Sequence, residues 1–239
     1  MSVISTVIKQ FVDRLGRTII AFFYPKKCLG CGYSGLWLCP SCIRALDYAP
    51  FQRCLNCGKA AIGGYTHPSC ETRYTADRTL APFEYKEPLR EAIHLAKYHN
   101  QWDIFNELVE RAVLWLDHMG VKFLPEAVLV PVPLHFARKW QRGYNQASIL
   151  AQNFGKTLAL PVEEGFLVRT RNTQSQTRLS KKERSKNVKD AFVCQKDLSG
   201  RNIVLVDDVF SSGSTLKAVA KELKKNHART VWCLTLARS

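Results

Sequence analysis

The stretch Arg201–Thr215, R-N-I-V-L-V-D-D-V-F-S-S-G-S-T, leaves this chain few folds to choose from. Ile203–Val206 is an unbroken run of apolar β-formers, which suits a strand buried on both faces of a parallel sheet. Two acids follow, Asp207 and Asp208, and then Ser211-Ser212-Gly213-Ser214-Thr215. Beyond them Leu216, Val219, Ala220 and Leu223 fall at i, i+3, i+4 and i+7, so the strand feeds a helix whose apolar face returns to the sheet. That pattern belongs to an α/β domain. At 239 residues the chain has room for one of medium size and a small appendage.

The turn between strand and helix has small hydroxylic residues, one glycine and the free N–H groups of a helix start. Such a turn can hold a phosphate. Carboxylates beside it would repel a polyphosphate tail, but they can accept hydrogen bonds from a pair of ribose hydroxyls. A sugar phosphate fits, its diol on Asp207 and Asp208 and its 5′-phosphate in Ser211, Ser212, Gly213, Ser214 and Thr215. The run is neither G-x-x-x-x-G-K-[ST] nor G-x-G-x-x-G. Val204–Thr215 resembles the ribose-phosphate motif of type I phosphoribosyltransferases. The resemblance implies phosphoribosyl pyrophosphate (PRPP) as ligand, bound with Mg²⁺.

A formal net charge of +15 favours anionic partners: nucleic acid, polyphosphates or an acidic membrane surface. The apolar fraction of 46% and charged fraction of 23% are those of a soluble globular protein. No apolar run approaches the length of a membrane span. Val3–Phe23 reads as an amphipathic helix, with Ile4, Val7, Ile8, Phe11, Leu15, Ile19 and Phe22 on one stripe. Covering the protein's own core is the favoured role for it, ahead of membrane contact.

Seven of the nine cysteines lie between Cys28 and Cys70. Cysteine pairs without a secretory signal argue for metal thiolates in a reducing cytoplasm, not for a disulfide framework. Cys28-x-x-Cys31 and Cys39-x-x-Cys42 form two knuckles, and four thiolates suit Zn²⁺. Cys54-x-x-Cys57 repeats the pattern, and His67-x-x-Cys70 can close it as a Cys₃His site. Spacing leaves a cross-braced pairing open. With four ligands each, both sites read as structural.

Further along, the expected elements are a strand at Thr79–Tyr85, a helix from Pro88 towards Tyr98, a helix at Gln101–His118 and a strand at Ala127–Val132. Pro131–Gln146 then reads as a basic loop at the carboxyl edge of the sheet, where open α/β folds bind ligands. It carries His135, Arg138, Lys139, Arg142 and Asn145, and guanidinium forks match pyrophosphate oxygens. A helix at Ala147–Leu160 and a strand at Glu164–Val168 precede the basic segment Arg169–Lys189, which reads as a flap. Ala191–Val193 is expected to re-enter the sheet, and Thr230–Leu236 supplies a late strand.

V-P-V-P-L-H-x-x-R-x-x-x-R-G-Y-N-Q, R-T-R-x-T-x-x-Q and N-V-x-x-A-F, together with the cysteine knuckles, make the chain resemble the ComF family. These are phosphoribosyltransferase-like proteins associated with DNA uptake in natural transformation. With the amphipathic helix at 1–24 read from its own stripe, the resemblance implies a double zinc ribbon at 25–75 and a phosphoribosyltransferase-like domain at 76–239. That domain would be an open parallel sheet with helices on both faces. PRPP would be held by Asp207, Asp208, Ser211–Thr215, His135, Arg138 and Arg142, with Arg169, Arg171, Thr173 and Gln176 in a flexible loop over it. The family's last knuckle is usually C-x-x-C, and here histidine stands in its first position.

Asp207, Asp208 and Arg142 are the catalytic candidates. Purine-salvage relatives place a carboxylate where this chain has Ser211, which cannot act as a general base near neutral pH. The donor's parts are therefore present, while an acceptor site is not recognisable. The expected function is cytoplasmic handling of incoming single-stranded DNA, alongside competence partners such as a DNA-processing protein or an uptake helicase. Lys139, Trp140, Lys181, Lys182, Arg184 and Lys186 are the DNA candidates, with Trp140 and Tyr144 placed to stack on bases. An active phosphoribosyltransferase and a PRPP-sensing regulator are the alternatives.

Overall fold

The computed structural model describes residues 26–99, 101–171, 188 and 190–239. The expected N-terminal helix and most of the basic flap lie outside them. The chain divides into two units with a boundary at Ala45/Leu46, between the two cysteine clusters.

The smaller unit, described over 26–45, folds back on itself at Lys27 and Ser34 and ends in a short helix, α1 (Pro40–Arg44). Pro40 suits its first turn, where an N–H would have no helical partner.

The larger unit holds a small antiparallel ribbon, β1 (Gln52–Arg53) with β2 (Ala60–Ala61), and is built on a parallel sheet. β8 (Asn202–Phe210) lies between β5 (Val128–Pro131) and β9 (Thr230–Arg238). The far edge of β9 is covered by β3 (Arg78–Leu80) and β4 (Phe83–Glu84), two pieces of one interrupted strand. Gln52 bridges the interruption, accepting from Ala81 N at 2.8 Å and donating to Ala81 O at 3.1 Å. Alternation along the strands divides the core. Val128, Val130, Ile203, Leu205, Val231 and Cys233 face one layer, packed against α6 (Ser214–Lys225) through Leu216, Val219, Ala220 and Leu223. The opposite face carries α2 (Leu89–Tyr98), α3 (Ile104–His118) and α5 (Gln146–Leu158), whose apolar stripes are fully buried.

Three expectations need correction. β8 runs through both acids to Phe210 instead of stopping at Val206, because its ladder with β9 continues to Arg238. The loop after β5 contains a helix, α4 (Phe136–Arg142), closed by Gly143 at φ 78°. β6 (Leu167–Arg169) and β7 (Phe192–Cys194) pair antiparallel as a separate ribbon, so the chain does not re-enter the main sheet there. Among the described residues, no helix is long and apolar enough to cross a membrane.

Candidate functional site

A cavity of about 410 Å³ opens at the carboxyl ends of β5 and β8. Its walls bring together Asp207, Asp208, Ser211–Thr215, Arg138, Arg142 and Arg169. Strand alternation sends the two acids to opposite faces of the sheet. Asp208 Oδ2 meets Lys97 Nζ of α2 at 2.8 Å, with both side chains largely buried. Burial would lower the Lys97 pKa, but the charge and hydrogen bond of Asp208 raise it on balance. Among the described residues, Asp207 has no comparable pairing. Burial first, and then the adjacent Asp208, push its pKa up to about 7, although the Asp208 N–H donates to its Oδ1 at 2.9 Å.

The hydroxylic turn is shaped for close approach. Gly213 at φ 70° is the N-cap of α6, so no cap side chain screens the helix start. Ser212 Oγ lies 3.0 Å from Ser214 Oγ and accepts from Ser214 N at a long 3.4 Å. Three guanidiniums line the same cavity. Burial and then Arg142 lower the Arg138 pKa; burial and then Arg138 lower that of Arg169, to about 10. Arg142 sits 4.8 Å over the Tyr98 ring and Arg169 5.3 Å over Phe192. Cations that depress one another's pKa welcome an anion between them.

His135 stands apart from this cavity. It is 4% exposed, and its Nδ1 accepts from Ala137 N at 3.3 Å to start α4. Asn145 likewise caps α5, accepting from Ala147 N, while its amide donates to Val132 O at 3.0 Å. Lys97 and Tyr98 are site residues that sequence reasoning passed over; their place at the end of α2, before the acid pair in space, carries no motif. Arg171 is described but does not line the cavity, and Thr173, Gln176, Lys181, Lys182, Arg184 and Lys186 lie outside the described residues. On α4, Trp140 is 90% exposed, Phe136 75%, and Lys139 is exposed between them. Tyr144 turns inward and donates to Ala96 O.

Among the described residues, two groups of side chains could hold a metal ion: Cys28, Cys31, Cys39 and Cys42, and Cys54, Cys57, His67 and Cys70. Their ligand atoms lie within 4.8 Å of one another, so the knuckles pair in sequence order, not crosswise. Burial raises the Cys28 thiol, but N–H donors, the Cys39 amide first at 3.2 Å, bring its pKa down to about 6. Cys54 falls to about 7 for the same reason. His67 Nδ1 is 3.3 Å from Cys57 Sγ, while Nε2 is 2.9 Å from the Ala60 carbonyl. A carbonyl only accepts, so the proton sits on Nε2 and Nδ1 is left as a donor atom for a metal.

Residues 141–239 match the model of the phosphoribosyl transferase domain. The chain is 34% identical to competence protein F of Haemophilus influenzae, across 84% of this chain and 90% of that one. It belongs to the competence protein F family. DNA utilization protein YhgH of Escherichia coli K12 is 33% identical over 84% of the chain and 91% of its own length. Competence protein ComFC of Bacillus subtilis is 27% identical, with 84% of each covered. Among solved structures, a purine phosphoribosyltransferase from Pyrococcus horikoshii Ot3 aligns with 56% of this chain and 81% of its own at 15% identity and a TM-score of 0.34. This chain's fold is a phosphoribosyltransferase-like parallel sheet with a cysteine-rich N-terminal region.

Proposed function

We propose that this chain is a cytoplasmic DNA-uptake factor that binds a ribose 5-phosphate group, as PRPP or a related sugar phosphate, and handles single-stranded DNA. The observation that carries the reading is one cavity lined together by both acids, the hydroxylic turn and three arginines. Asp207 and Asp208 accept from the ribose hydroxyls, Ser211–Thr215 take the 5′-phosphate, and Arg138, Arg142 and Arg169 face the pyrophosphate. Mg²⁺ would supply charge neutralisation between those oxygens. The relatives' names, competence protein F and DNA utilization protein, support the DNA role. The exposed Phe136, Lys139 and Trp140 give a basic, aromatic face of the kind that single strands stack on. A competence partner, such as a DNA-processing protein or an uptake helicase, is a further candidate for that face.

The donor sets fit zinc: four soft or imidazole ligands, no open position, and a histidine whose tautomer is fixed by Ala60. Zinc there serves folding, not chemistry.

Calorimetry of the zinc-loaded protein with PRPP or ribose 5-phosphate and Mg²⁺ tests the pocket. Absence of binding to both removes it. A transferase reading draws on Asp207, whose pKa of about 7 lets it exchange a proton near neutrality. PRPP turnover in the presence of nucleobases and amines decides that question.

A further inference from the structure

The second cysteine cluster belongs to the larger unit, and its first knuckle lies behind the phosphate turn. Leu55, between the ligands Cys54 and Cys57, is 2% exposed and shares a core cluster with Phe210 and Leu216. It approaches so closely that a Cβ on Gly213 would stand 2.7 Å from Leu55 Cδ1 and 2.8 Å from Phe210 Cε2. Next to it, the Asn56 carbonyl accepts from Lys217 Nζ, in the first turn of α6, at 2.9 Å. The Asn56 side chain in turn donates to Cys70 O at 3.0 Å. One short segment thus touches a ligand residue of the second pair, the floor of the turn and the helix that presents the turn's N–H groups.

We infer that Leu55 and Lys217 are positioning residues for the phosphate turn, and that the second metal site holds the turn in its binding shape through them. Neither side chain lines the phosphate's place as a ligand does. Leu55 fixes where Gly213 and Phe210 sit, and the Lys217–Asn56 bond fixes the helix start against the knuckle. Without an ion, Cys54–Cys70 loses the cross-link that keeps Leu55 in the core. The consequence rests on the pocket proposed above. Metal and sugar phosphate are linked, and each raises the other's affinity by the same factor.

Hydrogen exchange on the full-length, zinc-loaded protein reads the brace without any ligand. In Leu55→Ala the amides of 213–217 should exchange at least about tenfold faster while zinc content stays unchanged. Cys57→Ser, which disables the second site alone, should reproduce that acceleration. Unchanged exchange in Leu55→Ala overturns the inference whether or not the pocket binds anything. Should Leu55→Ala not fold, Leu55→Val keeps most of the volume, and a smaller acceleration is expected at the same amides; no acceleration there overturns it equally.

Calorimetry with ribose 5-phosphate and Mg²⁺ reads the linkage. Affinity should fall about tenfold in Leu55→Ala, and saturating ligand should slow chelator capture of one of two zinc ions in the wild type. Equal affinity in the two proteins overturns the linkage. If the wild type binds neither ribose 5-phosphate nor PRPP, the pocket reading falls, and faster exchange in Leu55→Ala still supports the brace.

Discussion

Lys97 Nζ and Asp208 Oδ2 are 2.8 Å apart beneath the cavity, joining the end of α2 to the centre of the sheet. Among the described residues, the pair divides the two acids into one already matched by a cation and one, Asp207, that is not. It also ties the shape of the cavity floor to a helix from the beginning of the larger unit.

Breaking that pair from one side leaves a buried charge uncompensated. Lys97→Met should lower stability by about 3–5 kcal/mol. Lys97→Met with Asp208→Asn should recover much of it, as measured by urea denaturation. Equal midpoints for the wild type and the single variant would show the pair to be dispensable.

Asp207 should make stability depend on pH and, if the proposed pocket binds a sugar phosphate, ligand affinity as well. Its folded pKa of about 7 exceeds the ordinary 3.8, so the folded state holds a proton that the unfolded state releases. Its contribution to stability is greatest below the unfolded value and is lost as pH rises through about 7. Asp207→Asn should therefore raise the melting temperature at pH 8, by roughly 2–4 °C for each kcal/mol regained. Sugar-phosphate affinity should change in the opposite sense. The ionised acid is the better acceptor for a diol, so from pH 6 to pH 8 wild-type binding should strengthen by more than the variant's, whose change is that of the ligand phosphate's own second ionisation at about 6.

Gly213→Ala places a Cβ at φ 70° and within 2.7 Å of Leu55. Positive φ alone costs about 1–3 kcal/mol at a residue with a side chain. The variant should be less stable by at least that amount and should bind ribose 5-phosphate weakly or not at all. Denaturation and calorimetry on the same preparation check both.

Purified protein should contain about two zinc ions per chain, and His67→Ala about one. Elemental analysis after desalting reads this. A wild-type content near one would remove the second site.

Trp140→Ala and Phe136→Ala should each weaken single-stranded DNA binding by about 1–3 kcal/mol, with little dependence on sequence. Replacing Lys139 and Arg142 with glutamine should make the salt dependence shallower, by about 0.7 in log–log slope for each phosphate contact removed. Fluorescence anisotropy across a salt series measures both, and unaltered binding would move the DNA contact off α4.

The central sheet was legible because Ile203–Val206 and Ala127–Val132 are apolar without alternation, the mark of strands covered on both sides. The hydroxylic turn between β8 and α6 was legible because small polar residues and a glycine separate an apolar run from a helical period. α4 was not, since His-Phe-Ala-Arg-Lys-Trp-Gln-Arg has no apolar stripe; its evidence is local, a capping His135 and a left-handed Gly143. The antiparallel pairing of β6 with β7 depends on what Phe192 meets across space, which three apolar residues cannot disclose. Lys97 was equally silent. A lysine at a helix end is ordinary until a carboxylate is found opposite it.

β9 follows every other strand in sequence, yet it lies between β3/β4 on one side and β8 on the other. During synthesis, then, the sheet stays split until the ribosome has released Thr230–Arg238. Until that moment β8 offers a bare edge and β3 has no partner to lie against. A nascent chain stalled short of Thr230 would present two sticky borders to its neighbours, and the cell would meet it as a substrate for chaperones and proteases.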